Sequence, residues 1–314
     1  MIPSTDDTND TRDTTPDGID DTDDAPTLSR RRLLGAAAAA GAVGLAGCST
    51  PLVQVRTATD TVERAFDADA VSRIRVDAAD DVTVEPADGD TVEVRARKRA
   101  HGNTELDELA LRSRVEDGAL NLATRKPNVV GIGGGSVDLE VFLPDAVAVD
   151  RVRTDDGSVS LRGTSGDATV QTGDGDVTAS DLGGDLDAST DDGSVTVERV
   201  DGTVTARTGD GDVTVRAPGT VGDLRTVDGA LVADVPAVDG SVALRSRDGD
   251  VTVALGGSLD ATVDATTGDG SVTAAGFDAV RAATDTHAAG TVGAGTDELR
   301  IHTDDGDVTL TSMG

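Results

Sequence analysis

Large aromatic side chains are almost absent from this sequence, which has no tryptophan, no tyrosine and three phenylalanines among 314 residues. Lysine is also scarce, since Lys98 and Lys126 are the only two. Cys48 is the single cysteine, so no intrachain disulfide can form and stability must come from packing and backbone hydrogen bonds. A nucleic-acid partner is excluded as well, because binding to phosphates requires a basic stripe that this sequence lacks.

Acidic residues dominate what is present. The chain has 59 Asp and Glu against 27 Lys and Arg, which gives a formal charge of -32, and only nine of the acids are Glu. Dense surface carboxylates hold water, and salt screens their mutual repulsion. High Asp, low Lys and few large apolar groups together indicate a protein adapted to very salty solvent.

The first 47 residues have the pattern of an export signal. Residues 1–28 are a low-complexity acidic run that we expect to be disordered, and the twin arginines Arg30 and Arg31 follow it. A run of fifteen weakly apolar residues, 33–47, is too short to span a membrane but suits a signal peptide. The last residues of this run and the cysteine that follows it read Leu-Ala-Gly-Cys, residues 45–48, which resembles a lipobox with Cys48 as the lipidated residue. The whole segment resembles a haloarchaeal-type twin-arginine lipoprotein signal, which implies anchoring at the extracellular face of the cytoplasmic membrane.

The mature chain divides into three parts by its hydrophobic pattern. Residues 48–62 are predicted to be a tether, residues 63–153 an N-terminal β region with two-residue alternation, and residues 154–314 a repeat region. One stretch, NTELDELALRS from Asn103, has a helical pattern, with Asn103 or Thr104 as its N-cap.

The repeat region contains eight copies of one acidic sequence motif, called the phrase below, as in TGDGDVTV from Thr208. Its first four intervals are 18 residues each, and each interval contains a weaker second copy of the phrase. A fixed period with one supersecondary unit per repeat predicts an all-β solenoid. The repeat glycines are Gly157, Gly175, Gly193, Gly211, Gly229, Gly249, Gly270 and Gly306.

Each phrase is interpreted as a tight turn followed by a strand. We expect the glycine to supply a positive φ in the turn. Alternation then places Val195 and Val213 inside the coil and Thr196 and Thr214 outside it.

The stretch from Val137 through Val197, in which a strand ends in Leu-Pro before serial Gly-[Asp/Ser]-Val-x-[Val/Leu] phrases, resembles the putative-adhesin family of β-strand repeats, whose function is unknown. The resemblance covers roughly residues 65–314 and implies a β-solenoid-like fold, an envelope setting and no established catalytic residues. Residues 277–300 depart from the pattern, so we expect a distorted coil or a loop there.

The residues give little support for chemistry. The acidic phrase fits neither a calcium roll nor an EF-hand loop. His101, His287 and His302 have no metal-ligand spacing, and no cofactor is expected. The only candidate ligands are the carboxylates before the repeat glycines. These carboxylates would form a file along the stacked turns and hold cations weakly between neighbouring turns. They are Asp156, Asp174, Asp192, Asp210, Asp228, Asp248, Asp269 and Asp305.

These features favour a non-catalytic, lipid-anchored surface protein with a structural or adhesive role and a surface protein or glycan as partner. Two alternatives remain open. One is a repeat-scaffold enzyme acting on polysaccharide, with a cleft near residues 277–300. The other is a sensor or accessory subunit in envelope-stress signalling.

Overall fold

The computed structural model describes residues 57–127, 133–276 and 279–313, which belong to one compact unit. Strands make up nearly all of the regular structure in these ranges, and a three-residue 3-10 turn, Ala68–Ala70, is their one helical element. None of these residues lies in a helix that is long and apolar enough to cross a membrane. Cys48, Arg30 and Arg31 lie outside the described residues.

The strands are short and numerous because apolar residues alternate with polar ones and glycine-rich turns recur between them. In chain order they are β1 (Thr57–Asp67), β2 (Arg73–Ala78), β3 (Val82–Pro86), β4 (Thr91–Gly102), β5 (Ala110–Glu116), β6 (Ala119–Arg125), β7 (Gly133–Leu143), β8 (Ala148–Thr154), β9 (Val159–Arg162), β10 (Ala168–Thr172), β11 (Val177–Leu182), β12 (Leu186–Thr190), β13 (Val195–Arg207), β14 (Val213–Arg225), β15 (Leu231–Val235), β16 (Ser241–Arg245), β17 (Val251–Leu255), β18 (Ala261–Asp269), β19 (Val272–Ala274), β20 (Val280–Thr284), β21 (His287–Val292), β22 (Asp297–Asp305) and β23 (Val308–Ser312).

The strands stack in two faces, and each coil of the chain contributes one strand to each face. The first face runs β1-β4-β7-β3-β9-β11-β13-β14-β15-β17-β23-β19. The second face runs β5-β6-β2-β8-β10-β12-β13-β14-β16-β22-β18-β21-β20. The long strands β13 and β14 belong to both faces because each continues around the edge between them. The predicted all-β, solenoid-like stack is confirmed.

The core lies between the two faces and consists of aligned small apolar residues. Val177, Val195 and Val213 lie side by side in neighbouring strands and are fully buried. Alanine, valine and leucine fill equivalent positions throughout, since a narrow coil has no room for large aromatic rings. Thr196 and Thr214 face outward but are half-buried, because the same row repeats above and below each of them.

Antiparallel strands flank the N-terminal end of the stack. β6 and β7 run parallel to β2 and β3, whereas β5 and β4 pair with them in the antiparallel sense. β1 extends this end further and begins at Thr57, inside the segment predicted as a tether. The repeat region and the N-terminal β region are paired directly, through β10 with β8 and β9 with β3.

The helix predicted from Asn103 is wrong. Residues 103–109 form a turn, in which the Glu105 amide donates to the Glu108 carboxylate at 2.9 Å, and β5 follows. The second half of the stretch is instead drawn into antiparallel pairing with β6, and Leu109 is fully buried. Tertiary packing therefore overrides a weak local helical preference.

The last coil of the chain is out of sequence order in the stack. β22 lies between β16 and β18, and β23 lies between β17 and β19. The final coil is therefore inserted between the two coils that precede it in sequence. The segment between them contains an antiparallel hairpin, β20 and β21, which pairs with β18 at the end of the second face. The expected distorted coil or loop at residues 277–300 is thus an ordered hairpin in its described part.

Candidate functional site at the acidic edge

The eight copies of the acidic phrase lie along one edge of the stack, where each coil crosses from the second face to the first. Each phrase begins with Thr or Ser three residues before its glycine, and these eight side chains are buried although they are polar. They are Thr154, Thr172, Thr190, Thr208, Thr226, Ser246, Thr267 and Thr303.

The buried hydroxyls satisfy backbone oxygens of the neighbouring coil. Thr190 donates to the Gly175 carbonyl oxygen at 2.8 Å and Thr208 donates to the Gly193 carbonyl oxygen at 2.6 Å. The same contact continues from Thr226 to the Gly211 oxygen at 2.7 Å. It also survives the change of order at the C-terminal end, where Thr303 donates to Gly249 and Thr267 donates to Gly306. A buried ladder of hydroxyls therefore ties each coil to the next.

The repeat glycines are required by close approach between coils. A Cβ on Gly193 would lie 2.2 Å from the Gly175 oxygen, and one on Gly211 would lie 2.2 Å from the Gly193 oxygen. Both distances are shorter than any real contact, so only glycine fits. Six of the eight do not have a positive φ, and only Gly270 and Gly306 do. The predicted turn is present, but the prediction that glycine supplies a positive φ there is wrong for most copies.

The threonine and the glycine of one phrase, three residues apart, thus both face the same carbonyl oxygen of the neighbouring coil. The Gly193 oxygen accepts the Thr208 hydroxyl and also faces the bare Cα of Gly211. The sequence carried a signal for this pairing, because every phrase has a hydroxyl residue at the same distance before its glycine. The two-residue alternation of the preceding strand also points inward at this position, since Val170 and Thr172 lie on the same face of β10.

The residue after each glycine forms a second ladder, on the outside. The Asp176 carboxylate accepts from the Ser194 amide at 2.8 Å, and the Asp212 carboxylate accepts from the Ala230 amide at 2.8 Å. Ser158, Ser194 and Ala230 separate the acidic members in this part of the stack. Because an uncharged residue stands between them, two carboxylates do not meet in adjacent coils here.

The residue before each glycine has no such alternation. All eight of the candidate carboxylates are exposed, and they follow one another in neighbouring coils. Their order departs from the sequence at the C-terminal end, because Asp305 pairs with Asp248 on one side and Asp269 on the other. The candidate cation file therefore runs from Asp156 through Asp248 to Asp305 and ends at Asp269.

Few cations offset this file. Lys126 contacts both Asp80 and Asp156 at 3.1 Å, and these hydrogen bonds raise the pKa of Lys126 against the opposing effect of its burial. Arg247 contacts Asp228 at 2.8 Å and Asp248 at 3.5 Å. Among the described residues, no three Asp, Glu, His or Cys side chains converge to hold a metal ion. The file therefore offers a line of separate carboxylates to solvent ions.

The opposite edge of the stack contains a cleft of about 390 Å³ where the chain crosses back to the second face. Gly163, Asp181, Arg199 and Ala217 occupy equivalent corners 18 residues apart, with φ between 48° and 60°. Arg199 binds Asp181 through Nε and Oδ1 at 2.6 Å, and its hydrogen bond lowers the pKa of the Asp181 carboxyl. This ion pair links two corners of positive φ in neighbouring coils.

The comparisons with known proteins place the chain in a family. A family model described as Toastrack DUF4097 matches residues 71–311. This chain belongs to the Toastrack family. The matched range includes both the repeats and most of the N-terminal β region, so the two are parts of one family fold. A search of curated proteins finds no match.

Several solved structures are similar to this Toastrack chain at low identity. A putative cell adhesion protein from Clostridium sporogenes is 12% identical, with 82% of this chain and 100% of that chain covered and a TM-score of 0.34. Putative adhesins from Bacteroides fragilis and Parabacteroides distasonis are each 12% identical, with 80% of this chain and 97% of each of theirs covered and TM-scores of 0.40 and 0.36.

Proposed function

We propose that this Toastrack chain is a lipid-anchored, non-catalytic cell-surface protein with a structural or adhesive role. The observation that carries the proposal is the continuous stack of strands, from β1 to β19 in the first face and from β5 to β20 in the second. This stack repeats the same outward polar rows from coil to coil. Such a surface offers many equivalent contacts to an extended partner without a deep pocket.

The anchor is proposed from the sequence before the stack. Arg30 and Arg31 direct export of the folded chain, and Cys48 receives the lipid. The strongly acidic composition suits an outer surface in contact with concentrated salt, because screened carboxylates remain soluble there.

Fractionation of cells tests the anchor. We expect Cys48→Ser to move the protein from the membrane fraction to the medium or to the precursor, and Arg30→Lys with Arg31→Lys to block export. Adhesion of cells that carry the wild-type chain is compared with that of Cys48→Ser cells, in which the ectodomain is made but not held. Unchanged partitioning in both variants would overturn the anchor, and equal adhesion would overturn the adhesive role.

A further inference from the structure

A groove of about 410 Å³ on the second face is lined by more arginines than carboxylates in an otherwise acidic molecule, the two carboxylates being those of Asp264 and Asp304. It lies where β14, β16, β22 and β18 run side by side. Nine arginines follow residue 154 in the sequence, and four of them line this groove: Arg225, Arg245, Arg247 and Arg300.

The centre of the groove is a row of stacked cations. Arg207, Arg225 and Arg245 are in register on neighbouring strands, so adjacent members lie about 4.8 Å apart at the backbone. Arg207 is offset by Asp187 at 3.3 Å. Within the described part of the chain, Arg225 and Arg245 form no ion pair. Like charges on opposed strand positions repel, so this pair is uncompensated in the protein alone.

The walls of the groove are held in place by their own contacts. Arg247 is bound by Asp228, and Arg300 contacts Glu298 at 2.6 Å. His302 is fixed from both sides, because Nδ1 lies 2.9 Å from the Thr266 hydroxyl and Nε2 lies 3.0 Å from the Asp304 carboxylate. The two exposed guanidinium groups at the centre therefore sit between walls that are already ordered.

We propose that this groove binds an acidic polysaccharide, with Arg225 and Arg245 donating hydrogen bonds to its carboxylate or sulfate groups. Guanidinium groups present paired donors that suit planar and tetrahedral oxyanions. A single nucleic-acid strand would need aromatic stacking platforms, and no Phe, Tyr or Trp lines this groove. A second copy of this strongly acidic chain would bring one broad negative surface toward another, whereas a thin acidic polymer meets only a narrow strip of the surface and can follow the row of arginines.

This inference rests on the adhesive role proposed above and names the class of its partner. Binding to the full chain is measured by calorimetry with three probes: dextran sulfate, polygalacturonate and uncharged dextran. The test variant is Arg225→Gln with Arg245→Gln. The matched control is Arg216→Gln, an exposed arginine on the first-face half of the same strand, β14.

We expect one or both acidic polymers to bind and dextran not to bind. The comparison of dextran sulfate with polygalacturonate shows whether the groove prefers sulfate or carboxylate groups. The double variant should lose at least about tenfold in affinity while melting as the wild type does, and the control should stay within about twofold. Absence of binding, or equal losses in both variants, would overturn the proposal. Dimerisation of the wild type that the double variant loses, seen by sedimentation, would overturn it in favour of a second copy. Membrane partitioning of Cys48→Ser is independent of the groove, so a failure of the groove leaves the anchor standing.

Discussion

At the scale of single residues, the repeat phrase is a device for bringing two backbones together. Gly211 leaves room for the Gly193 oxygen, and Thr208 supplies that oxygen with a hydrogen bond in the dry interior. A buried carbonyl without a partner costs free energy comparable to a lost hydrogen bond. Close approach and hydrogen bonding are therefore needed together at every coil.

Gly211→Ala tests the close approach. The new methyl would lie 2.2 Å from the Gly193 oxygen, so the coils must separate at this edge. We expect a loss of about 3 kcal/mol or more in the free energy of unfolding, measured with denaturant. Gly257→Ala is the control, because its methyl would meet nothing within 4 Å. Equal stability of the two variants would show that the coils have room for a side chain.

Thr208→Val tests the buried hydroxyl at nearly constant volume. The Gly193 oxygen would lose a donor at 2.6 Å, so we expect a loss of about 1–2 kcal/mol in the free energy of unfolding. Thr208→Ser keeps the donor and should lose less. The ladder would be refuted if valine proved as stable as threonine.

Asp260→Asn tests a charged cap with a defined pH dependence. The Asp260 carboxylate accepts from the Thr296 amide and hydroxyl and from the Gly295 amide at 2.6 Å, and these hydrogen bonds lower its pKa. A lowered folded pKa means stabilisation that is complete above the unfolded value of about 3.9 and is lost as pH falls through the folded value. The difference in melting temperature between wild type and Asp260→Asn should therefore shrink below about pH 4. Asp239→Asn, at an exposed carboxylate with no hydrogen bond from the described residues, should show no such trend.

At the scale of elements, the alternation of apolar residues was enough to predict strands, turns and the inward valines. Val195 and Val213 are buried as expected, since a two-residue period leaves one face for the core. The order of the coils was not predictable in this way. β22 and β23 carry the same phrase as their neighbours, so nothing in their own sequence distinguishes insertion from stacking at the end. The inward threonines were missed for a different reason: they continue the inward alternation of the preceding strand, as Thr172 and Thr190 do, but the phrase looks polar throughout.

Truncation after Thr296 tests the inserted coil. Removal of β22 and β23 takes away the strands that separate β16 from β18 and β17 from β19. The coil that contains β18 and β19 then loses its parallel partners, so we expect the C-terminal end to aggregate or unfold. Limited proteolysis measures this loss of structure. Deletion of residues 190–207, one whole 18-residue period, is the control and should fold, because Ser189 then meets the same phrase at Thr208. A truncated chain as protease-resistant as this deletion would contradict the inserted order.

At the scale of the whole molecule, the stack turns a repeated acidic turn into a line of charge. Two carboxylates about 4.8 Å apart repel by roughly 0.9 kcal/mol in bulk water. Along the file from Asp156 to Asp269, that repulsion becomes comparable to the total stability of a domain, commonly about 5–15 kcal/mol. Lys126 offsets only the first end of the file, at Asp156, and Arg247 offsets one interior step. The sequence predicted the members of this file, whereas its order follows from the inserted coil.

Thermal melting in different salts tests how the file is tolerated. Molar salt reduces the screening length to about 3 Å, so we expect the melting temperature to rise steeply with potassium chloride. Millimolar calcium at low ionic strength should add little, because no three ligands converge among the described residues and calcium takes six to eight oxygens. Asp192→Asn with Asp210→Asn should raise the melting temperature in low salt and have little effect in molar salt. Rescue of the wild type by millimolar calcium, lost in this double variant, would instead establish specific cation bridges, and a melting temperature independent of salt would exclude a repulsive file.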